Sequence, residues 1–175
     1  MKERFVLLLF IIMGGVLSAQ DVSLSKARSL FDDGKYSASQ SILNQISNSG
    51  KSTASTMYLN AKCSKKLFLS DAISLYDDLN TLFPYHKYRD EVNIDLARIY
   101  YREKKYNSAI ASFLKVNNLS NEELFKLAYS YFSIDSLYDA QLYFSKIIDA
   151  DSKFSSASHY YYASIAYDRG LYKSA

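Results

Sequence analysis

The chain has 175 residues, 49% hydrophobic and 22% charged, enough apolar material for one domain or a short repeat array and too much for a disordered polymer. One Pro and 5 Gly give few turn signals for an all-β fold, so long helices are expected. The formal net charge is only +3, and Lys65-Lys66 and Lys104-Lys105 are pairs rather than patches, which argues against a nucleic-acid partner.

The first residues read as a leader. Lys2 and Arg4 are positive, Phe5 to Met13 are uniformly apolar, and Gly14 to Ala19 end in small residues. That order is a secretory signal peptide over 1–19, with cleavage expected between Ala19 and Gln20. An uncleaved membrane anchor is the alternative, although the apolar run is short of the ~20 residues a spanning helix needs. Cleavage would remove Lys2, Glu3 and Arg4 and leave 19 basic and 17 acidic residues, a net of +2. The single cysteine, Cys63, has no partner in the chain for a disulfide, so an exported fold must be held by packing.

Beyond the leader, helix pairs are expected over 22–33 and 36–48, 53–67 and 69–82, 88–103 and 106–117, 121–134 and 137–150, then 155–168 and 171 onward. Small residues recur at Ser39, Ala72, Ala109, Ala140 and Ala175, with gaps of 33, 37, 31 and 35 that average 34. In the third repeat Leu96, Ala97 and Tyr100 precede Lys104-Lys105-Tyr106, then Ala109 and Phe113. Leu96 and Tyr100 share one helical face, and Ala97 and Ala109 are small where two helices would cross closely. The first repeat has Ala27, Leu30, Gly34, Tyr36, Ser39 and Leu43. The second has Leu59, Cys63, Leu69, Ala72 and Tyr76, with Pro84 where its second helix should stop. It departs at Asn60, in place of the small apolar residue, and at Leu67, in place of the turn glycine. The fourth has Leu127, Ala128, Tyr131, Leu137, Ala140 and Phe144, and the fifth Tyr162, Ala163, Ala166, Gly170, Tyr172 and Ala175.

Over residues 20–175 these positions resemble the tetratricopeptide-repeat family. The resemblance implies an all-α, right-handed solenoid of about five helix-turn-helix units, the last incomplete, so a longer protein is expected beyond residue 175. Phe83-Pro84-Tyr85-His86-Lys87-Tyr88-Arg89 resembles a linking loop of exported repeat proteins of envelope assembly and division. That likeness implies the periplasm of a Gram-negative bacterium.

No catalytic or cofactor chemistry is evident in the sequence. His86 and His159 are 73 residues apart, His86 in a loop where a solvated side chain is expected and His159 in a helix. No cluster has metal-ligand spacing. Cys63 occupies an apolar repeat position and reads as a small buried hydrophobe. Asp32-Asp33 and Asp77-Asp78 are helix neighbours that point apart, not an acid–base pair. A non-enzyme with no cofactor and no metal is the expectation.

In the resembled family the first helix of each pair lines an inner groove. That register puts Arg98, Tyr101 and Arg102 of the third repeat inward, Phe125, Tyr129 and Phe132 of the fourth, and Tyr160 and Tyr167 of the fifth. Rings there offer large contact area at low entropy cost, and Arg pairs with carboxylates. Packing between helices is the alternative role for each ring. A family clamp for a C-terminal carboxylate would use Leu24 and Arg28, Met57 and Ala61, Ile94 and Arg98; its Lys, Asn and Arg pattern is absent. The functional expectation is an exported, non-catalytic scaffold that binds a protein or peptide. The alternative is the sensory ectodomain of a membrane signalling protein whose transmembrane and output parts follow residue 175. Membrane association is expected only through an uncleaved leader or such a following part.

Overall fold

The computed structural model describes residues 22–170. The leader read over 1–19, Tyr172 and the repeat position Ala175 lie outside them. Among the described residues there is no strand, as the composition implied. They fall into two compact units, 22–86 and 87–170.

The first unit contains α1 (22–32), α2 (Tyr36–Asn48), α3 (Ala54–Lys66) and α4 (Ala72–Leu82). The second contains α5 (Arg89–Arg102), α6 (Tyr106–Phe113), α7 (Asn121–Ser133), α8 (Leu137–Ser145) and α9 (Ser155–Asp168). Within each unit successive helices pack on one another as antiparallel neighbours, so the expected helix-turn-helix pairs form.

One small residue marks each crossing. Ala27, Ala61, Ala97 and Ala128 on the first helices are fully buried. Facing them on the second helices are Ser39, Ala72, Ala109 and Ala140, also buried. Large side chains four and seven residues further on complete each buried stripe: Leu43 and Ile46, Tyr76 and Leu79, Phe113 and Val116, Phe144 and Ile147. Ser39 serves as a small residue because its Oγ donates to the Ala27 carbonyl at 2.7 Å, which leaves no orphaned hydroxyl.

Seven residues after each alanine comes a residue with positive φ: Gly34, Phe68, Lys104 and Asp135, and Gly170 likewise follows Ala163 by seven. The four described turns close alike. The residue after the left-handed one donates back five positions, as in Lys35 to Leu30 at 2.8 Å and Lys105 to Tyr100 at 2.9 Å. That is the Schellman arrangement, which satisfies carbonyls at the helix end and fixes the angle at which the second helix returns.

This turn corrects the reading of the second repeat. Its left-handed residue is Phe68, not Leu67, and its buried small residue is Ala61, not Asn60. Eleven positions separate Ala61 from Ala72, against twelve for Ala27 to Ser39 and Ala97 to Ala109. The missing residue belongs to the turn, so counting backwards from Ala72 slips the first helix by one. Asn60 is partly exposed and donates to Asn44 Oδ1 at 3.1 Å.

Two second helices are shorter than expected. α6 ends at Phe113 rather than 117 and α8 at Ser145 rather than 150. Each ends in bonds reaching back three residues, Val116 to Phe113 at 3.1 Å and Ile147 to Phe144 at 2.9 Å. The tighter winding turns Val116 and Ile147 into the core. His86 is also corrected: it is buried, with Nε2 3.0 Å from Asn80 Oδ1. Cys63 is fully buried, and burial pushes its thiol up while the Ser39 contact opposes the shift.

An L-residue in the left-handed region costs about 1–2 kcal/mol relative to the right-handed one, and glycine escapes that cost. Lys104→Gly, at an exposed turn, is therefore expected to stabilise the chain by about 1 kcal/mol, and Gly34→Ala to destabilise it by about as much. Urea unfolding followed by circular dichroism checks both signs.

Candidate functional site

The first helices of the second unit carry a continuous run of rings. Tyr101 near the end of α5, Tyr106 at the start of α6 and Tyr129 in α7 meet edge to face, with centroids 6.0–6.3 Å apart. Tyr129 also stacks against Phe125 at 6.4 Å and lies 6.2 Å from Phe132. Tyr161 of α9 closes the run: it is 5.6 Å from Tyr129, 5.1 Å from Phe132, and parallel to Phe144 at 5.2 Å. Phe154, just before α9, stacks on Phe125 at 5.3 Å.

These contacts follow from the repeat. Tyr101 and Phe132 each lie four residues after a crossing alanine, and Tyr129 lies one residue after Ala128. Tyr101 thereby meets both Tyr106 of its own pair and Tyr129 of the next first helix, and Tyr129 and Phe132 meet Tyr161 of α9. Each ring pair adds about 0.5–1.5 kcal/mol beyond its buried area. Tyr101, Phe125, Tyr129, Phe132 and Tyr161 are nevertheless only part-buried. The same rings tie α5, α7 and α9 together and leave an aromatic face open.

The eight residues expected from the sequence divide into three groups. Tyr101, Phe125, Tyr129 and Phe132 belong to the network. Tyr160 stands at its margin, 69% exposed, and touches Tyr161 edge-on at 5.5 Å, while Tyr167 is 64% exposed near the end of α9. Arg98 and Arg102 differ in their surroundings. Arg102 is exposed at the end of α5, whereas Arg98 Nη2 is bonded to Glu123 Oε1. The Glu123 side chain is 5% exposed, and its other oxygen accepts from the Ser120 backbone N–H at 3.0 Å and from the Ser120 hydroxyl. Ser120 and Glu123 thus form the capping box of α7, and Arg98 neutralises the carboxylate that completes it. Losing either member of a buried ion pair strands a charge at a cost of about 3 kcal/mol, less where one partner is partly solvated, as Arg98 is. Arg98 is a structural tie between α5 and α7.

Tyr161 and Phe154 are not among the residues expected from the sequence, and Tyr106 is expected there only as the repeat residue that opens the second helix of its pair. The signal was there: Phe154, Ser158, Tyr161 and Ile165 are spaced as one helical stripe, and Ser158 and Ile165 are buried. Among the described residues no three His, Cys, Asp or Glu side chains gather as a metal site would need, and no helix is long and apolar enough to cross a membrane.

The fold is shared with solved structures. MamA AMB-1 is similar over 88% of this chain and 84% of that chain, with a TM-score of 0.73 and 17% identity. MamA 41-end from Desulfovibrio magneticus RS-1 matches over 87% and 86%, with a TM-score of 0.68 and 14% identity. Nearly identical TPR-like repeats of a Podosopora anserina kinesin light chain match over 87% of each chain, with a TM-score of 0.57 and 15% identity. At such identities the likeness establishes the fold, which is that of the tetratricopeptide repeat in the all-α solenoid class. No family model and no curated protein matches the chain.

Burial pushes the Tyr101 hydroxyl up to about 12, helped by the neighbouring Tyr129, Tyr106 and Tyr161. The unfolded chain loses that proton near its ordinary value of 10, while the folded chain keeps it to about 12. Between those values the unfolded state holds fewer protons, so stability falls as pH rises. Tyr101→Phe is expected to make that fall shallower in urea midpoints measured across the same window.

Proposed function

We propose that the chain is a non-catalytic protein–protein interaction scaffold that acts after export, in a bacterial periplasm, and holds a partner segment on the aromatic face of α5, α7 and α9. The observation that carries this reading is the part-exposed run from Tyr101 through Tyr129 to Tyr161. Large, rigid rings held by one another give contact area with few rotamers left to freeze, a property typical of energetic centres of binding surfaces. The tetratricopeptide fold supports it, since stacked helix pairs leave their first helices free for partners. Export rests on the leader read from the sequence, and the absence of catalytic groupings in the sequence supports a binding role.

Tyr101→Ala combined with Tyr160→Ala trims one part-buried and one exposed ring without touching a crossing alanine. Capture of the physiological partner by the mature chain should weaken by about tenfold or more while helical content is kept. Undiminished capture by a well-folded double variant would remove this face from the account. Cell fractionation checks the compartment: the chain is expected in the periplasmic fraction, and retention in the cytoplasm contradicts export.

A further inference from the structure

The first unit repeats the same frame with different chemistry. Phe31 and Tyr36 occupy the places that Tyr101 and Tyr106 hold in the second unit, with centroids 5.1 Å apart and edge to face. Where Tyr129 follows Ala128 by one residue, Lys62 follows Ala61 by one. Its ammonium lies 5.5 Å from the Phe31 centroid and 5.2 Å from that of Tyr58. One turn further along α3, Lys66 Nζ is 5.9 Å from the centre of Tyr36. Ring, cation, ring, ring and cation thus alternate along Tyr58, Lys62, Phe31, Tyr36 and Lys66. Arg28, which follows Ala27 by one residue, supplies a further exposed cation on α1.

Among the described residues no carboxylate is within ion-pair distance of Lys62, Lys66 or Arg28. A lysine laid over rings has already given up rotamer freedom that ordinarily costs up to about 1.5–2 kcal/mol to freeze. Its ammonium keeps N–H donors for a further acceptor. Two such lysines, spaced i and i+4 on one helix, form a pre-ordered pair of donors about one helical turn apart.

We propose that this face of α1 and α3 is a second interaction surface, distinct from the aromatic face of the other unit, and that it binds an acidic peptide segment. Charge complementarity selects that occupant: the Lys62 and Lys66 ammonium groups, with the exposed Arg28 on α1, match carboxylates carried on an extended chain. Nucleic acid fits less well. The ring faces that would stack on bases are already covered by lysine.

The test uses the mature full chain and a fluorescein-labelled peptide of about twelve residues alternating Glu and Ser, with a matched peptide in which Gln replaces Glu. Fluorescence anisotropy should show the Glu peptide bound about tenfold or more tightly than the Gln peptide, with affinity falling as salt rises from about 50 to 200 mM. Lys62→Met with Lys66→Met should remove that preference, and Lys62→Arg should retain it. Lys66→Met alone, at an exposed position, gives an intermediate loss and keeps the test valid should the double variant unfold. Equal binding of both peptides overturns the proposal, as does unchanged binding by the folded double variant. Tighter binding of an oligouridylate of similar length would overturn it in favour of RNA. Tyr101→Ala with Tyr160→Ala should leave acidic-peptide binding unchanged, so the two faces succeed or fail separately.

Discussion

The structure depends on pairing a fully buried small residue with a left-handed turn seven positions later. Ala27, Ala61, Ala97 and Ala128 let two helices approach closely, and Gly34, Phe68, Lys104 and Asp135 send the chain back along the first helix at a repeated angle. Neither suffices alone. A larger side chain at the crossing would force the helices apart, and another turn would bring Ser39, Ala72, Ala109 and Ala140 to the wrong place. Once both are set, the positions one and four places after each alanine recur with the repeat. That is how Lys62, Tyr129, Phe31 and Tyr101 come to occupy corresponding places.

The two units use this frame for different chemistry. In the second, the position after the alanine is Tyr129, and rings from successive first helices merge into one network. In the first it is Lys62, and the frame holds a cation over two rings. Arg98 takes the same position in the third repeat with another outcome, since Glu123 rises from the α7 capping box to meet it. A conserved geometry with a changed side chain is how a repeat acquires distinct surfaces without a distinct fold.

Much of the fold could be read from the sequence because its determinants are local. Small residues at the crossings, aromatics one turn further on and the turn spacing are all visible along a single chain. Reading failed where two deviations offset each other. The second repeat lacks one turn residue and carries no glycine to show it, so Asn60 took the place that belongs to Ala61. Phe68 adopts the left-handed conformation without any compositional cue. The aromatic face was half legible: Tyr101, Phe125, Tyr129 and Phe132 follow from register. Tyr161 needed the core stripe of α9 rather than the family pattern. The partner of Arg98, Glu123, lies 25 residues away, beyond any local rule.

Placing Lys62 and the first unit's ring frame rests on the corrected register, and overpacking tests it most directly. Leucine at a fully buried crossing residue should cost about 2–3 kcal/mol, whereas leucine at a part-exposed neighbour should cost under about 1 kcal/mol. Urea unfolding of Ala61→Leu and Asn60→Leu, compared with the parent chain, should therefore show the large loss only at Ala61. A large loss at Asn60 with Ala61→Leu tolerated would contradict the account and return the crossing to the position the sequence pattern first suggested.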